Sequence, residues 1–341
     1  MNDFKKEREV FEKRIKIGHE ILYLTRKEIL DMNLSESDIL ELTHRSLTMH
    51  GRKEYEMPAK IGVHPYEEVF YHAMPAYLPE VPAVGIKWIS GYPGNTLDFG
   101  LPATTGLLVV NDGLTGLPVC IMDAQWITAY RTAGVTVSAA KKLNPDARTF
   151  GIVGCGMQGY QHMRLLCLGL KKLEKIYLYD VVEAAVDRFI EEFQPKLDVE
   201  IIKAKSPEEL TKCCEVITSA TVFVKEAGTT IKAEWVQKGQ AFLTCDGMSC
   251  ISPQVAFKAD RFFVDWIDEF NLLKGMGYYE FGTPPVDAEI GEVIADLKPG
   301  RITKDDIIVD LNIGMPIHDI LFANKCLHIA IESGAGVVLP L

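Results

Sequence analysis

The clearest pattern of apolar and polar positions in the chain runs from Thr149 to Asp180. Residues 150–153 form a short apolar run with β-branched members, the composition of a buried parallel strand. Apolar side chains then recur at the spacing of one helix face, at Met163, Leu166, Cys167 and Leu170. A second apolar run, residues 176–179, leads into Asp180. This segment is therefore predicted to fold as strand, helix and strand.

The same periodicities divide the rest of the chain into two kinds of region. Between residues 57 and 123, short apolar runs separated by turn residues predict antiparallel or mixed strands, with a hairpin turn at residues 113–116. Beyond Asp180, helix and strand patterns alternate, and residues 316–332 predict a long last helix. The predicted fold class is α/β, with a Rossmann-type doubly wound parallel sheet and a second α+β domain.

Composition and charge narrow the class of protein. The chain has 341 residues, 48% hydrophobic and 24% charged, which is ordinary for a globular enzyme of two domains. Its net charge of −11 argues against nucleic acid as a partner. No apolar run approaches the roughly 18 residues of a membrane span, and the N-terminus lacks the apolar core of a signal peptide. We therefore expect a cytoplasmic protein that does not bind membranes.

Cysteine and histidine usage gives no sign of a metal. None of the eight cysteines forms a C-x-x-C pair, and the eight histidines are dispersed without metal-binding spacing. We therefore expect reduced cysteines and no metal site.

Three glycines follow the predicted strand in the G-x-G-x-x-G spacing, at Gly154, Gly156 and Gly159. The first permits a tight turn, the second lets the backbone approach a pyrophosphate, and the third lets the helix pack closely. Asp180 lies 21 residues past the last glycine, where a carboxylate can accept the ribose hydroxyls of an adenosine. With no Arg or Lys beside Asp180 to bind a 2′-phosphate, the pattern favours NAD over NADP. The alternative is a glycine-rich turn without a ligand.

Three basic residues are candidates for binding a substrate carboxylate. Lys60 is predicted on a strand, Lys87 lies between an isoleucine and a tryptophan, and Arg131 is predicted in the first turn of a helix. A charge among apolar neighbours is costly unless it is paired, whereas the alternative for each residue is a solvated surface cation. Asp246 follows a predicted strand at the carboxyl edge of the sheet, so it is either a general acid or base or a turn cap.

Short motifs along the chain, taken in order, resemble the ornithine cyclodeaminase/μ-crystallin family. They are Met74-Pro75-Ala76-Tyr77, Gly85-Ile86-Lys87-Trp88, Asn111-Asp112 with Thr115-Gly116, Ile127-Thr128-Ala129-x-Arg131-Thr132-Ala133, Gly154-x-Gly156-Met157-Gln158 and Asn312-x-Gly314 with Asp319. The resemblance covers nearly the whole chain after residue 20 and implies NAD(P)-dependent chemistry at the Cα–N bond of an amino or imino acid.

The resemblance also implies an organisation and a set of ligand-binding residues. Residues 1–130 and 313–341 would form a substrate-binding and dimerisation domain of a homodimer, and residues 131–312 would form the NAD-binding Rossmann domain. The positions matching family ligands are Lys60, Lys87 and Arg131 for the substrate carboxylate and Thr132, Met157, Gln158, Asp180 and Thr221 for the cofactor.

The sequence departs from the cyclodeaminases after Cys245. Those enzymes carry Gly-x-Asp followed by a Lys/Arg-Glu-Leu signature, whereas this chain has Asp246 and no acidic residue at the position of the signature Glu. The predicted function is therefore an NAD-dependent amino acid dehydrogenase or ketimine reductase, with Lys87 and Asp246 as catalytic residues. The alternatives are a lyase that converts L-ornithine to L-proline and ammonia, and an NAD(P)H-dependent binding protein without turnover.

Overall fold

The computed structural model of the protein describes residues 2–66 and 68–341. The helices of this part of the chain are α1 Asn2–Phe11, α2 Arg26–Asp31, α3 Glu36–Gly51, α4 Asn95–Phe99, α5 Gln125–Leu143, α6 Met157–Gly169, α7 Glu183–Phe193, α8 Pro207–Cys213, α9 Pro253–Lys258, α10 Ile267–Gly275, α11 Ile290–Ile294 and α12 Pro316–Ser333. The strands are β1 Glu20–Leu24, β2 Ile61–Val63, β3 Phe70–Leu78, β4 Ala83–Gly91, β5 Thr104–Asn111, β6 Pro118–Asp123, β7 Thr149–Val153, β8 Lys175–Tyr179, β9 Glu200–Lys203, β10 Val216–Ser219, β11 Ala241–Thr244, β12 Arg261–Val264, β13 Ala288–Glu289, β14 Ile308–Leu311 and β15 Val337–Pro340.

The chain divides into two compact units. The first unit comprises Met1–Asp38, Lys53–Arg131 and Met315–Leu341, and the second comprises Ile39–Arg52 and Thr132–Gly314. Most of α3 thus belongs with the second unit, although no pattern in the sequence separates it from the N-terminal part. A side chain added at Gly51 would lie 2.1 Å from the carbonyl oxygen of Gly291, so the end of α3 packs directly on the backbone of that unit.

The first unit is built on a seven-stranded mixed sheet in the order β15-β1-β6-β5-β4-β3-β2. β1 pairs parallel to β6, and the other neighbours are antiparallel. The long helix α12 packs on β3, β4 and β5. Alternation along β4 places Lys87 on the face that α12 covers and Trp88 on the opposite face.

The second unit is built on an eight-stranded sheet in the order β13-β12-β14-β11-β10-β7-β8-β9, parallel throughout. Strand order reverses between β7 and β10, and ligands of doubly wound folds bind at the carboxyl ends of the strands at this switch point. The strands β10, β11 and β14 are buried along their full length, as a central parallel strand with helices on both faces requires.

Several local predictions are confirmed and others need correction. The hairpin predicted at residues 113–116 forms between β5 and β6. Lys60 was placed on a strand, but it precedes β2 in an irregular segment that follows Pro58. Arg131 lies in the second turn of α5, because the Asp123 carboxylate accepts the backbone N–H of Gln125 and starts the helix earlier.

Three strands were not predicted, and each lacks the signal that a strand needs. β13 has two residues, β9 has four, and β15 pairs with β1 through side chains that are mostly exposed. Within the part of the chain that the structure describes, no helix is both long and apolar enough to cross a membrane.

Candidate active site

The glycine loop after β7 has the shape that a dinucleotide requires. Gly154 adopts φ +105°, and a side chain there would lie 2.7 Å from the carbonyl oxygen of Ala220. A side chain at Gly159 would lie 2.2 Å from the carbonyl oxygen of Gly154, so helix and turn are in close contact. A side chain at Gly156 would meet no described atom within 4 Å, which leaves open space beside the backbone. That space is where a pyrophosphate would lie.

The N-terminus of α6 supplies donors to the same space. The helix begins after the extended backbone of Gly156 without a side-chain cap hydrogen bond among the residues described, and a helix N-terminus attracts anions. The side-chain oxygen of Gln158 is buried and has no hydrogen-bond partner within residues 2–66 and 68–341. Buried polar atoms are normally paired, so this acceptor oxygen fits a ligand group that donates a hydrogen bond, such as a hydroxyl, and not a phosphate oxygen.

The Asp180 carboxylate connects the glycine loop to the end of β8. One oxygen accepts the N–H of Cys155 at 2.7 Å and the other accepts the N–H of Val182 at 2.8 Å. The carboxylate is half-buried, and the two following valines are exposed. One cation does approach the loop, since Arg188 on α7 donates to the carbonyl oxygen of Cys155 at 3.4 Å. The sequence did not reveal this contact, because Arg188 lies one helix turn beyond the segment next to Asp180.

A second cluster lies at the ends of β10 and β11. Asp246 is fully buried, and its two oxygens accept the hydroxyls of Ser219 at 2.8 Å and Thr221 at 2.6 Å. Burial raises the pKa of Asp246, and the two hydroxyl hydrogen bonds oppose that shift. The backbone of Thr221 is thereby fixed beside the glycine loop, where Ala220 already contacts Gly154. Two predicted site residues, Asp246 and Thr221, are thus in direct contact, and Asp246 also binds Ser219, which the sequence did not single out.

A buried chain of polar contacts joins three elements of the second unit. Thr136 on α5 lies 3.0 Å from the Cys245 sulfur, which lies 3.9 Å from Nε2 of His162. Nδ1 of His162 lies 2.7 Å from the carbonyl oxygen of Gln158, so it is the donor nitrogen of the ring. Burial lowers the pKa of His162 to about 4 and raises that of Cys245 to about 12, so both groups are neutral at pH 7. These polar contacts also include Thr132, whose carbonyl oxygen accepts a hydrogen bond from the Thr136 hydroxyl at 3.4 Å.

The first unit carries a separate cluster of buried charges. The Lys87 ammonium lies 2.5 Å from one oxygen of Asp319 and 3.5 Å from the hydroxyl of Thr128. Nε of Arg131 lies 3.3 Å from the other oxygen of Asp319. Lys87 is 1% exposed, Arg131 7% and Asp319 0%, so none of them is a solvated surface charge. Asp319 was named only as part of a motif, and nothing in its spacing indicated that it joins the two cations.

Lys60 and His72 complete the electrostatic surroundings of Lys87. Burial lowers the pKa of Lys87 to about 7; Asp319 opposes this shift, and Arg131 and Lys60 add to it. Burial lowers the pKa of His72 to about 3, with Lys60, His64 and Lys87 contributing, so this imidazole is neutral at pH 7. The Lys87 amine can therefore exchange a proton near neutral pH.

No metal centre was found in the part of the chain that the structure covers. Among residues 2–66 and 68–341, no group of three or more His, Cys, Asp or Glu side chains is arranged to hold a metal ion. All eight cysteines are free thiols.

Comparison with known proteins places the chain in a family. The ornithine cyclodeaminase/mu-crystallin family model matches residues 22–333, and the chain belongs to that family. The chain is 30% identical over 321 residues to the nodulation efficiency protein NfeD of Rhizobium meliloti, covering 94% of this chain and 98% of that protein. It is also 30% identical over 327 residues to the alanine dehydrogenase of Archaeoglobus fulgidus, covering 93% and 97% of the two chains.

Solved structures share the whole fold. An archaeal alanine dehydrogenase dimer with bound NAD matches with a TM-score of 0.81 and 28% identity, covering 94% of this chain and 99% of that one. The Thermococcus litoralis Δ1-pyrroline-2-carboxylate reductase, in complex with NADH and L-proline, matches with a TM-score of 0.82 at 24% identity, covering 93% and 99% of the two chains. The predicted family and fold class are confirmed. The predicted class of function, an NAD-dependent enzyme of amino or imino acids, is confirmed at the level of the family.

Proposed function

We propose that the protein is an NAD-dependent oxidoreductase that acts at the Cα–N bond of a small α-amino or imino acid. The observation that carries this proposal is the buried pair of cations at Lys87 and Arg131, fixed by one carboxylate, in a chain that also contains a complete dinucleotide-binding loop. A carboxylate is the anion that such a pair recognises. The alanine dehydrogenase and pyrroline-2-carboxylate reductase relatives act on substrates of this class by their names.

The residues of the second unit would hold the cofactor. Gly154, Gly156 and Gly159 shape the turn, the N-terminus of α6 would face the pyrophosphate, and Asp180 would accept the adenosine ribose hydroxyls. The side chains of Thr132, Met157, Gln158 and Thr221 are assigned to the same site by the family motifs. When bound, NAD supplies the electron pair acceptor or donor for the Cα–N bond.

The residues of the first unit would bind and orient the substrate. Arg131 and Lys87 present cationic donors to the α-carboxylate, and Lys60 adds a third positive charge to the potential there. A buried amine with a pKa near 7 can also hold or release a proton at its nitrogen during turnover, which is the basis for giving Lys87 a catalytic role. An ion pair excluded from water is stronger than one in solvent, so the carboxylate would be held firmly.

Asp246 remains the candidate general acid or base, with one restriction from its geometry. Both of its oxygens accept hydroxyl hydrogen bonds and the side chain is fully buried. Proton transfer to a substrate would require one of these bonds to open. Until then the carboxylate orients Thr221 and the turn next to the glycine loop, so Asp246 has a positioning role whether or not it transfers a proton.

The cyclodeaminase reaction is the second candidate, and the loop after β11 argues against it. Between Asp246 and Ser252 the chain carries no acidic residue that could pair with a distal amino group. The loop instead contributes Ser249, whose hydroxyl lies 2.6 Å from the backbone oxygen of Asp246 and accepts the N–H of Val224 at 2.9 Å. The loop is thus engaged in backbone contacts.

A substrate screen would test the proposed reaction. The full-length protein is incubated with NAD and a panel of L-amino acids including alanine, proline and ornithine, and in reverse with NADH, pyruvate and ammonia or with pyrroline-2-carboxylate. Net NADH formation or consumption is followed by absorbance at ~340 nm while ammonia is measured in parallel. Stoichiometric NADH change is expected. Proline and ammonia from ornithine without net NADH would favour the lyase, and NADH binding without any turnover would favour a binding protein.

We also propose that the protein is a homodimer, with the outer face of the first unit's sheet as the interface. Strand register aligns Ile61, Ala73, Trp88 and Leu107 in one row across β2, β3, β4 and β5. Ile61 is 67%, Trp88 46% and Leu107 44% exposed, whereas α12 covers the opposite face. An apolar sheet face of this kind needs a partner, and a second copy supplies an equal face by two-fold symmetry.

Sedimentation velocity would test the homodimer. The native protein is expected to sediment as a dimer, and the double variant Trp88→Asp with Leu107→Asp as a monomer, because two charges would be buried in the interface. Val337→Asp, which places a charge on the exposed edge strand β15, is the matched control and should leave the dimer intact. A native protein that sediments as a monomer at micromolar concentration would exclude this interface.

A further inference from the structure

The carboxylate of Asp319 is the centre of the charge cluster in the first unit. It lies in the first turn of α12, 0% exposed, with one oxygen 2.5 Å from the Lys87 ammonium and the other 3.3 Å from Nε of Arg131. The helix N-terminus favours a negative charge at this position. The two cations come from β4 and α5, so Asp319 joins three elements that are far apart in the sequence.

Two buried cations without an anion would be unstable together. Each charge loses its hydration on burial, and two like charges repel more strongly in the interior than in water. The groups facing the Lys87 amine are Asp319 on α12, Arg131 and the hydroxyl of Thr128 on α5, Lys60 before β2 and, on β3, His72. Asp319 is the single carboxylate in this set. Removing it would leave the Lys87 ammonium facing Arg131 and Lys60 without a compensating negative charge.

We propose that Asp319 is a positioning residue that holds Lys87 and Arg131 as one charged unit and keeps the Lys87 amine protonated for binding a substrate carboxylate. This inference rests on the proposed function only in naming the ligand as a carboxylate. Each oxygen of Asp319 contacts one of the two cations. Both cations are therefore oriented before the substrate arrives, so less side-chain freedom is lost on binding. Asp319 also offsets one of the positive charges, so the substrate carboxylate completes the charge balance.

The experiment measures the protonation of Lys87 directly, without substrate or cofactor. Heteronuclear NMR of the full-length protein labelled at the ε-carbon of lysine, followed across the pH range and assigned by comparison with Lys87→Arg, gives the pKa of this buried amine. In Asp319→Asn the pKa should fall by about 1–3 units, the usual effect of removing an opposite charge within hydrogen-bond distance. In Asp319→Glu, which keeps the charge, the pKa should return toward the native value.

A second substitution predicts the opposite sign. Arg131→Met removes a neighbouring positive charge and leaves Asp319 to Lys87 alone, so the Lys87 pKa should rise above the native value. If Asp319 and Arg131 served packing alone, replacing them would not shift the Lys87 pKa in opposite directions. If Asp319→Asn does not fold, as judged by circular dichroism and thermal melting, the Arg131→Met and Asp319→Glu shifts decide the question.

The outcomes separate this inference from the proposed function. An unchanged Lys87 pKa in folded Asp319→Asn, or shifts of the same sign in Asp319→Asn and Arg131→Met, would overturn the role of Asp319. The predicted shifts combined with no turnover of any amino or imino acid would support Asp319 and contradict the oxidoreductase. With an active substrate in hand, Asp319→Asn should raise KM more at pH 6 than at pH 8, because at pH 6 Lys87 is protonated in the native protein and would be largely neutral in the variant.

Discussion

Two buried carboxylates, Asp319 in the first unit and Asp246 in the second, face different partners. Asp319 is paired with two cations, whereas Asp246 accepts hydrogen bonds from two hydroxyls. Both are 0% exposed, so the difference lies in the partners and not in burial. Burial raises the pKa of Asp246, and its two hydroxyl hydrogen bonds oppose that shift, whereas the partners of Asp319 are two cationic donors.

The comparison shows how one chain uses buried charge in two ways. We propose that the cations around Asp319 recognise a charged ligand, so their loss should affect binding strongly. Around Asp246 the carboxylate organises neutral groups at the carboxyl end of the parallel sheet, so its loss should affect geometry and rate. Substitutions in the two clusters should therefore differ in the size of their effect on activity and in the kinetic constant that they change.

The largest effect is expected at Lys87. Lys87→Met leaves Asp319 and Arg131 as a neutral pair and removes the amine that we propose binds the carboxylate, so kcat/KM should fall about 10²–10³-fold. NADH binding, measured by fluorescence titration, should be unchanged, since the glycine loop belongs to the second unit. Lys325→Met, on the exposed side of α12, is the matched control and should retain full activity. Normal turnover in Lys87→Met would remove this residue from the site.

A smaller, more selective effect is expected at Asp246. Asp246→Asn keeps the shape of the side chain but loses its charge and one acceptor, so kcat should fall about 10–100-fold while the affinity for NADH changes little. Ser219→Ala removes one of the two hydroxyl partners and leaves the carboxylate in place. If Asp246 transfers a proton, Asp246→Asn should lose far more activity than Ser219→Ala. Equal losses in the two variants would leave Asp246 with the positioning role alone.

The glycine loop should respond in affinity rather than in rate. A methyl group at Gly156 meets no protein atom, so Gly156→Ala should fold normally and weaken NADH binding about tenfold by occupying the pyrophosphate space. Gly154→Ala places a side chain at φ +105° against the carbonyl of Ala220, so it should lower Tm as well. Calorimetry and fluorescence titration measure the two effects separately. Equal melting temperatures for the two variants would contradict the assigned strain.

The smallest expected effect is a change of substrate affinity with pH. The pKa of Lys87 is lowered to about 7, so in the free protein the amine is protonated below that pH and neutral above it. Carboxylate affinity should therefore be greatest at acidic pH and decline as pH rises through about 7, with Arg131 maintaining the remaining affinity. Measuring KM between pH 5.5 and 9 checks the sign. A KM that falls with rising pH would contradict it.

The predicted elements differ in how far local sequence could define them. The strand, glycine loop and helix from Thr149 onward were predicted with the correct order and type, because a buried strand, a tight turn and an amphipathic helix each leave a short-range pattern. The irregular segment at Lys60 was predicted as a strand, because apolar residues flank the lysine and the pattern carries no information about pairing. β15 was missed because an exposed edge strand has no alternation to detect.

The sequence by itself determined the doubly wound sheet, the dinucleotide-binding loop, the family and the identity of the cations at Lys87 and Arg131. Tertiary structure decided what those cations touch. Asp319 lies 232 residues from Lys87 and 188 from Arg131, and no spacing rule connects residues so far apart. It also decided that Asp246 is enclosed by hydroxyls. Local patterns report backbone conformation and burial. The partner of a buried charge depends instead on how distant elements pack, and that partner determines the protonation of the site.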